Sequence, residues 1–120
     1  MSHSELEAKG DRLITKVVLE YTHKGFFVIP NYGHSDGIDI TVIATKEGKI
    51  VAVLECKNYA ETSHITDDKL QRDIDGLDFY DILPNVEKWL VISYKRCLAS
   101  LQIKWLEEHH IKIREIGYEP

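Results

Sequence analysis

Cysteine, proline and methionine are scarce in this chain of 120 residues, which contains two, three and one of them. Cys56 and Cys97 lack the spacing of metal ligands, and we interpret Cys56 as a buried free thiol in a reducing cytosol. No apolar run approaches the length needed to span a bilayer. The first residues lack the apolar core of a signal peptide, so we expect a cytoplasmic protein without a membrane partner.

The chain also lacks an excess of positive charge, since 15 Lys and Arg residues face 20 Asp and Glu residues. Proteins that bind phosphates carry a basic surface somewhere, so the net charge of −5 weighs against a nucleic-acid partner. The distribution of charge matters more than its sum. Several basic residues cluster locally, including Lys88, Lys95, Arg96, Lys104, Lys112 and Arg114.

Neither a repeat, a linker nor a low-complexity tract divides the chain, so we expect a single domain over residues 1–120. Apolar periodicity predicts helices over residues 4–24, 65–84 and 99–109. Alternating or β-branched runs predict strands over residues 26–29, 37–45, 49–57, 88–94 and 111–116. The order α-β-β-β-α-β-α-β predicts an α/β (α+β) fold, with a central mixed β-sheet and helices on both faces.

Residues 37–57 form the most informative segment, because two β-branched runs flank a short polar turn around Glu47. If the chain folds back at Glu47, Asp39 and Glu55 lie opposite each other on paired strands. The even-numbered positions of both strands are all apolar, which predicts that this face lies in the core. The odd-numbered face gathers Asp39, Glu55 and Lys57 at one end.

Two carboxylates that face each other on antiparallel strands repel, and strand interiors disfavour acidic residues. A divalent cation between Asp39 and Glu55 would remove the repulsion, because hard cations such as Mg²⁺ prefer carboxylate oxygens. Lys57 lies on the same face, where it can pair with the carboxylates, orient a water molecule or stabilise developing negative charge. Metal-assisted phosphodiester hydrolysis needs these groups. The alternative is a surface charge cluster on an exposed strand end.

Asp39, followed by Glu55-Cys56-Lys57 at the end of the next strand, resembles the motif of the PD-(D/E)XK nuclease superfamily. Residues 35–40 and 55–59 are similar to Mrr-type restriction endonuclease domains and archaeal Holliday-junction resolvases. Gly37-Ile38 stands where the family pattern has a proline. The resemblance implies a restriction-endonuclease-like fold, for which the predicted element order is typical. It also implies a Mg²⁺- or Mn²⁺-dependent endonuclease that cleaves double-stranded or branched DNA, as a homodimer.

The resemblance implies a role for each residue of the motif. Asp39 and Glu55 would hold Mg²⁺ or Mn²⁺, and the backbone carbonyl of Cys56 would add a ligand. Lys57 would position the attacking water molecule or help to deprotonate it.

Many members of the superfamily carry a further acid on the first helix, which here is Asp11 or Glu7. Counting back from the helix end at Gly25 favours Asp11. The helix dipole explains either residue without function, because acids are favoured in the first turns of a helix.

The resemblance also implies contacts with nucleic acid. A loop serine matters in the resolvases, so Ser35 is a candidate for a phosphate contact, and His34 for the same contact or for proton transfer. Turn chemistry explains both residues without a function. Four residues after the motif are candidates for lining the path of a nucleic-acid strand: Asn58, Tyr59, Lys69 and Gln71. Tyr59 could stack on a base, and ordinary surface polarity is the alternative for all four.

Two other functions stay open at this point. One is an RNA nuclease of related fold, and activity in EDTA would favour a metal-independent enzyme of that kind. The other is a catalytically silent domain that binds nucleic acid or assembles with a partner, which the acidic net charge favours. The intact set of Asp39, Glu55 and Lys57 favours an enzyme instead.

Overall fold

The computed structural model describes residues 3–32 and 40–118, with the backbone alone for residues 3–10. The helices of this part are α1 (His3–His23), α2 (Asp67–Asp78) and α3 (Ser100–Glu108), with short 3-10 helices at Phe79–Ile82 and Lys95–Cys97. The strands are β1 (Phe27–Pro30), β2 (Val42–Lys46), β3 (Lys49–Lys57), β4 (Glu87–Ile92) and β5 (Ile111–Glu115). The predicted element order is confirmed. None of the described helices combines the length and apolar character that crossing a membrane requires.

The strands form one mixed sheet in the order β1-β2-β3-β4-β5. The first three strands pair antiparallel, whereas β3, β4 and β5 pair parallel. Parallel neighbours need a crossover connection, and α2 and α3 provide the two crossovers. The α1 helix packs against β1, β2 and β3, while α2 packs against β3 and β4 from the other side. The prediction of helices on both faces of the sheet is therefore confirmed.

Each face of the sheet has its own hydrophobic core. Under α1, the core consists of Leu13, Ile14, Val17, Val42, Ala44, Ala52, Leu54, Cys56 and Val91. Under α2 and α3, the core includes Val53, Leu70, Ile74, Leu77, Leu90, Ile92 and Leu106. The even-numbered hairpin positions from Ile40 to Ala44 and from Ala52 to Cys56 are buried as predicted. Ile50 is only partly buried, and Ile38 lies outside the described residues. Cys56 is a buried free thiol, and burial raises its pKa to about 12.

The turn between β2 and β3 corrects the predicted register. Glu47 and Gly48 both have positive φ angles, of 54° and 77°, which is typical of a two-residue type I′ hairpin turn. Val51 is then an extra residue on β3, because Thr45 pairs with Ile50 but Ala44 pairs with Ala52. The turn and this bulge displace the register by two positions from a symmetrical fold-back at Glu47.

The prediction that Asp39 lies directly opposite Glu55 assumed that symmetrical fold-back, and the register of the described strands does not support it. Thr41 occupies the position beside Glu55 instead. Its Oγ1 atom accepts a hydrogen bond from the Cys56 N–H (2.9 Å) and donates one to the Leu54 carbonyl (3.1 Å). The threonine side chain thus continues the hydrogen-bond ladder beyond the start of β2. Asp39 itself lies outside the described residues.

Replacing Thr41 by valine tests this account of the hairpin end. Thr41→Val keeps the shape of the side chain but removes both buried hydrogen bonds of the hydroxyl group, to the Cys56 N–H and to the Leu54 carbonyl. We expect the free energy of unfolding to fall by about 1–3 kcal/mol, measured by urea denaturation. Thr45→Val is the matched control, because its hydroxyl donates to the Phe27 carbonyl in a solvent-exposed bond that water can replace. Equal losses in the two variants would contradict this account.

Candidate active site

Two charged residues of the motif share the carboxyl end of β3 and the face of the sheet that α2 covers. Successive side chains of a strand alternate between faces, so Val53, Glu55 and Lys57 point the same way. Val53 lies in the core with residues of α2. Because β3 and β4 are parallel, their carboxyl ends meet at one edge, where ligands of open α/β sheets commonly bind.

A third charged residue, Asp73 of α2, completes this cluster, and sequence reasoning missed it. The Lys57 Nζ atom lies 3.1 Å from Asp73 Oδ1. The Asp73 side chain is 7% exposed and that of Lys57 20%. A signal was present, because Asp73 follows Leu70 by three positions and precedes Leu77 by four. That spacing puts an acid on the apolar stripe of the helix.

Glu55 is almost completely buried, with 2% of its side chain exposed. Burial raises the pKa of Glu55 to about 8, and the neighbouring Asp73 carboxylate adds to the rise. The Lys57 ammonium and hydrogen bonds from the Thr41 side chain and the Cys56 backbone act in the opposite direction. Dehydration of the carboxylate therefore outweighs the groups that stabilise its charge.

Lys57 and Asp73 form a partly shielded ion pair. Burial disfavours the Lys57 ammonium, but the carboxylates of Asp73 and Glu55 outweigh that effect and raise its pKa. Burial raises the pKa of Asp73, whereas the charge and hydrogen bond of Lys57 oppose the rise. Asp73 Oδ2 is buried and has no hydrogen-bond partner within the described ranges 3–32 and 40–118. One ammonium thus faces two carboxylates, and the cluster is short of positive charge.

The chemistry of this cluster fits a divalent cation. Glu55 offers oxygen ligands, and the single positive charge of Lys57 cannot neutralise both neighbouring acids. No group of three His, Cys, Asp or Glu residues that could hold a metal ion occurs in residues 11–32 and 40–118. A full set of ligands therefore needs a residue from outside the described part, and Asp39 is the predicted one.

The predicted first-helix acid is not joined to the cluster within the described part. Asp11 is partly buried and has interactions of its own. It does not form a group of three acids with Glu55 and Asp73. The core residues of α1 contact the opposite face of the sheet from these two carboxylates. The side chain of Glu7 and the loop residues His34 and Ser35 lie outside the described residues.

Tyr59 lies beside the cluster and is held by its backbone. The Tyr59 N–H donates a hydrogen bond to the hydroxyl of Ser93, which is fully buried at the end of β4 and itself donates to the Tyr59 carbonyl. The Tyr59 ring packs against the core under α2. Burial raises the pKa of the Tyr59 phenol, while the charge of Lys57 lowers it. The loop that leaves β3 is therefore fixed next to Lys57.

The other predicted contacts lie near the surface. Lys69 and Gln71 are exposed on α2, and Gln71 Nε2 donates a hydrogen bond to Asp75 Oδ1 (2.8 Å). Asn58 is partly buried and has a partner. Sequence reasoning overlooked Arg72, which is also exposed. Lys69 and Arg72 both lie close enough to Asp73 to lower its pKa.

Four of the six basic residues of the local cluster are paired within the protein. Lys88 is 6% exposed, and its Nζ atom donates to Asp78, to Asp81 and to the His109 carbonyl. Three others are paired with acids, as Arg96–Glu61, Lys112–Glu87 and Arg114–Glu20. Their charges are largely compensated within the protein.

No protein-family model and no curated protein matches this sequence. Solved structures do share its fold. A repair endonuclease from Pyrococcus abyssi superimposes with a TM-score of 0.59 and 18% identity, over 91% of this chain and 47% of that one. EndoMS bound to double-stranded DNA gives a TM-score of 0.62 and 17% identity, over 93% and 46%. EndoMS in its apo form gives 0.56 and 18%, over 100% and 48%.

The chain has the restriction-endonuclease-like fold. That part of the prediction is confirmed, although at 17–18% identity the likeness concerns the fold alone. The chain spans about half the length of these endonucleases. The closer resemblance to Mrr-type domains and Holliday-junction resolvases stays a prediction.

Stability as a function of pH tests the burial of Glu55. The folded-state pKa, about 8, lies above the ordinary value of 4.5. The folded state therefore binds the extra proton, and stability is lost as pH rises from 4.5 to 8. In EDTA, we expect Glu55→Gln to unfold like the wild type at pH 4.5. At pH 8 it should be more stable, by an amount on the order of a few kcal/mol.

Glu87→Gln is the control, because hydrogen bonds from Trp89 and Lys112 lower the pKa of this exposed carboxyl and give the opposite sign. Urea denaturation at several pH values measures both differences. A Glu55→Gln difference that does not change with pH would show that the carboxyl is ordinarily solvated.

Proposed function

We propose that this chain is a Mg²⁺- or Mn²⁺-dependent endonuclease that hydrolyses DNA phosphodiester bonds. The observation that carries the proposal is the buried Glu55 carboxylate beside the Lys57 ammonium at the carboxyl end of β3. The fold supports it, because the solved structures that share this fold include a repair endonuclease and EndoMS with double-stranded DNA. The metal, the reaction and the DNA substrate are all parts of the proposal.

In the proposed site, Asp39, Glu55 and the backbone carbonyl of Cys56 hold the cation, and Asp11 or Glu7 is the candidate for an additional acid. A cation held there supplies a Lewis acid that lowers the pKa of a water molecule and offsets negative charge on the phosphate. Glu55 suits this task because its buried carboxylate lacks a full counter-charge in the protein.

Lys57 is the cluster residue that solvent reaches most easily, with 20% of its side chain exposed against 2% for Glu55. Its ammonium can donate a hydrogen bond to a phosphate oxygen or hold the attacking water molecule. Donors of this kind act mainly in the transition state, where negative charge on the phosphate oxygens is greatest.

Exposed residues around the cluster would hold the nucleic-acid backbone. Lys69 and Arg72 carry positive charge on the same helix as Asp73. Within the part of the chain that the structure describes, they are our candidates for phosphate contacts. Ser35 and His34 are the candidates from the loop before Asp39. The substrate is double-stranded or branched DNA. A homodimer would present two such sites to two strands, and we place the protein in the cytoplasm.

A second candidate function is a catalytically silent domain for binding or assembly. The compensated charges of Lys88, Arg96, Lys112 and Arg114 favour it, because they leave fewer cations for phosphates. Calorimetry with Mn²⁺ separates the two candidates. The endonuclease should bind Mn²⁺ and lose that binding in Asp39→Ala, whereas a silent domain would show no binding that depends on Asp39. RNA and DNA are also offered to the same preparation, with and without EDTA. Cleavage of RNA rather than DNA would identify an RNA nuclease, and cleavage in EDTA a metal-independent one.

Cleavage assays test the proposed activity directly. Duplex, four-way-junction, flap and single-stranded DNA are each incubated with Mg²⁺ or Mn²⁺, and with EDTA. We expect cleavage of at least one substrate with metal alone, and a loss of about 100-fold or more in Lys57→Ala, in the range for removal of a transition-state donor. Lys49→Ala is the matched control, because Lys49 is exposed at the other end of β3. Equal activity of the two variants would refute the proposed role of Lys57.

The homodimer is tested separately. Sedimentation velocity over a range of micromolar concentrations should give the mass of two chains, with a fraction of dimer that grows with concentration. A single species with the mass of one chain, both with and without duplex DNA, would contradict the homodimer without affecting the cleavage proposal.

A further inference from the structure

Asp73 occupies a position where a helix normally carries an apolar residue. It shares the buried face of α2 with Leu70, Ile74 and Leu77. Its Oδ2 atom has no hydrogen-bond partner among the residues that the structure describes, although nearly all buried polar atoms have one. An apolar residue of similar size would pack there without the cost of dehydrating a charge. Packing therefore does not explain why an acid occupies this position. The explanation must be the effect of Asp73 on a neighbouring residue.

That neighbour is Lys57. Lys57 and Glu55 lie two positions apart on β3 and so point to the same face, which Asp73 of α2 covers. The ion pair and the side-chain hydrogen bond are made with Asp73, at 3.1 Å. Among the ion pairs of residues 40–118, none joins Lys57 to Glu55. The ammonium is thus drawn towards α2, and within residues 40–118 no ion pair occupies the Glu55 carboxyl group.

We propose that Asp73 is a positioning residue: it holds the Lys57 ammonium against α2 and thereby leaves the Glu55 carboxylate available to a divalent cation. The inference rests on the proposed function. Its physical basis is competition, because an ammonium paired with Glu55 would repel a cation from the same carboxylate. Asp73 removes that competition by being the partner that Lys57 already has. The same bond also sets where the Lys57 donor stands relative to a phosphate.

Metal binding in a double-mutant cycle tests the inference without relying on cleavage. Asp73→Asn is nearly isosteric and removes the charge that holds Lys57. With Lys57 present, we expect the affinity for Mn²⁺, measured by calorimetry, to fall by about 10–100-fold, the range for residues that orient ligands of a metal. In the Lys57→Met background no ammonium competes for Glu55. There, Asp73→Asn should change the affinity by less than about threefold, because both substitutions act through one interaction.

Asp75→Asn is the matched control. Asp75 lies on the same helix, is exposed, and accepts a hydrogen bond from Gln71 outside the cluster. The substitution removes the same charge from α2 and should leave the Mn²⁺ affinity unchanged. Circular dichroism and thermal unfolding are recorded for every variant. We expect Asp73→Asn to keep the native spectrum, because the substitution removes a buried charge and keeps the shape of the side chain.

Each outcome decides the question. Wild-type affinity in Asp73→Asn overturns the inference, and so does an unfolded Asp73→Asn protein, which would mark a structural role. An equal loss of affinity with and without Lys57 would show that Asp73 acts on the cation directly rather than through Lys57. If the wild type neither binds Mn²⁺ nor cleaves DNA, the proposed function fails and the inference fails with it. If the wild type does both and Asp73→Asn matches it, the inference alone is wrong.

Discussion

Two acidic groups and one ammonium form a largely buried cluster at the carboxyl end of β3. The rest of the structure has to offset the free energy that burying this cluster costs. Burying charge costs free energy, and a single Lys57 cannot compensate both Glu55 and Asp73. The cost is met by apolar packing on both faces of the sheet, where the cores under α1 and α2 bury strands β2 to β4. Such local destabilisation is typical of sites that serve function rather than folding.

Main-chain groups around the cluster are held by side chains where the strand pairing ends. Thr41 satisfies the Cys56 N–H and the Leu54 carbonyl before β2 begins, and Ser93 holds the backbone of Tyr59 after β3. Both residues are small, hydroxyl-bearing and buried. Each can donate and accept, so one side chain replaces two backbone partners. The charged residues therefore stand on a backbone whose hydrogen bonds are satisfied, which limits how far Glu55 and Lys57 can shift.

The fold was predictable because its signals are local. The periodicity of apolar residues depends on neighbours within one element, and it indicates the element order and the buried hairpin face. The register between β2 and β3 was not predictable. It depends on the φ angles at Glu47 and Gly48 and on a bulge at Val51, which periodicity does not reveal. Ion-pair partners that are distant in sequence were also not predictable. The Lys57–Asp73 pair joins a strand to the following helix, and the basic residues near the C-terminal end are compensated by acids distant in sequence.

The acidic character of the chain and the proposed reaction are compatible, because of where the acids lie. When both acids are ionised, Glu55 and Asp73 repel a negative phosphodiester, and Lys57 sets a single positive charge against them. A cluster short of positive charge therefore favours a cation over a phosphate as its first ligand. With a divalent cation in place the sign of the local field changes, and the exposed cations Lys69 and Arg72 then act in the same direction. On the proposed function, the affinity for DNA is governed by the occupancy of one site rather than by the net charge of −5.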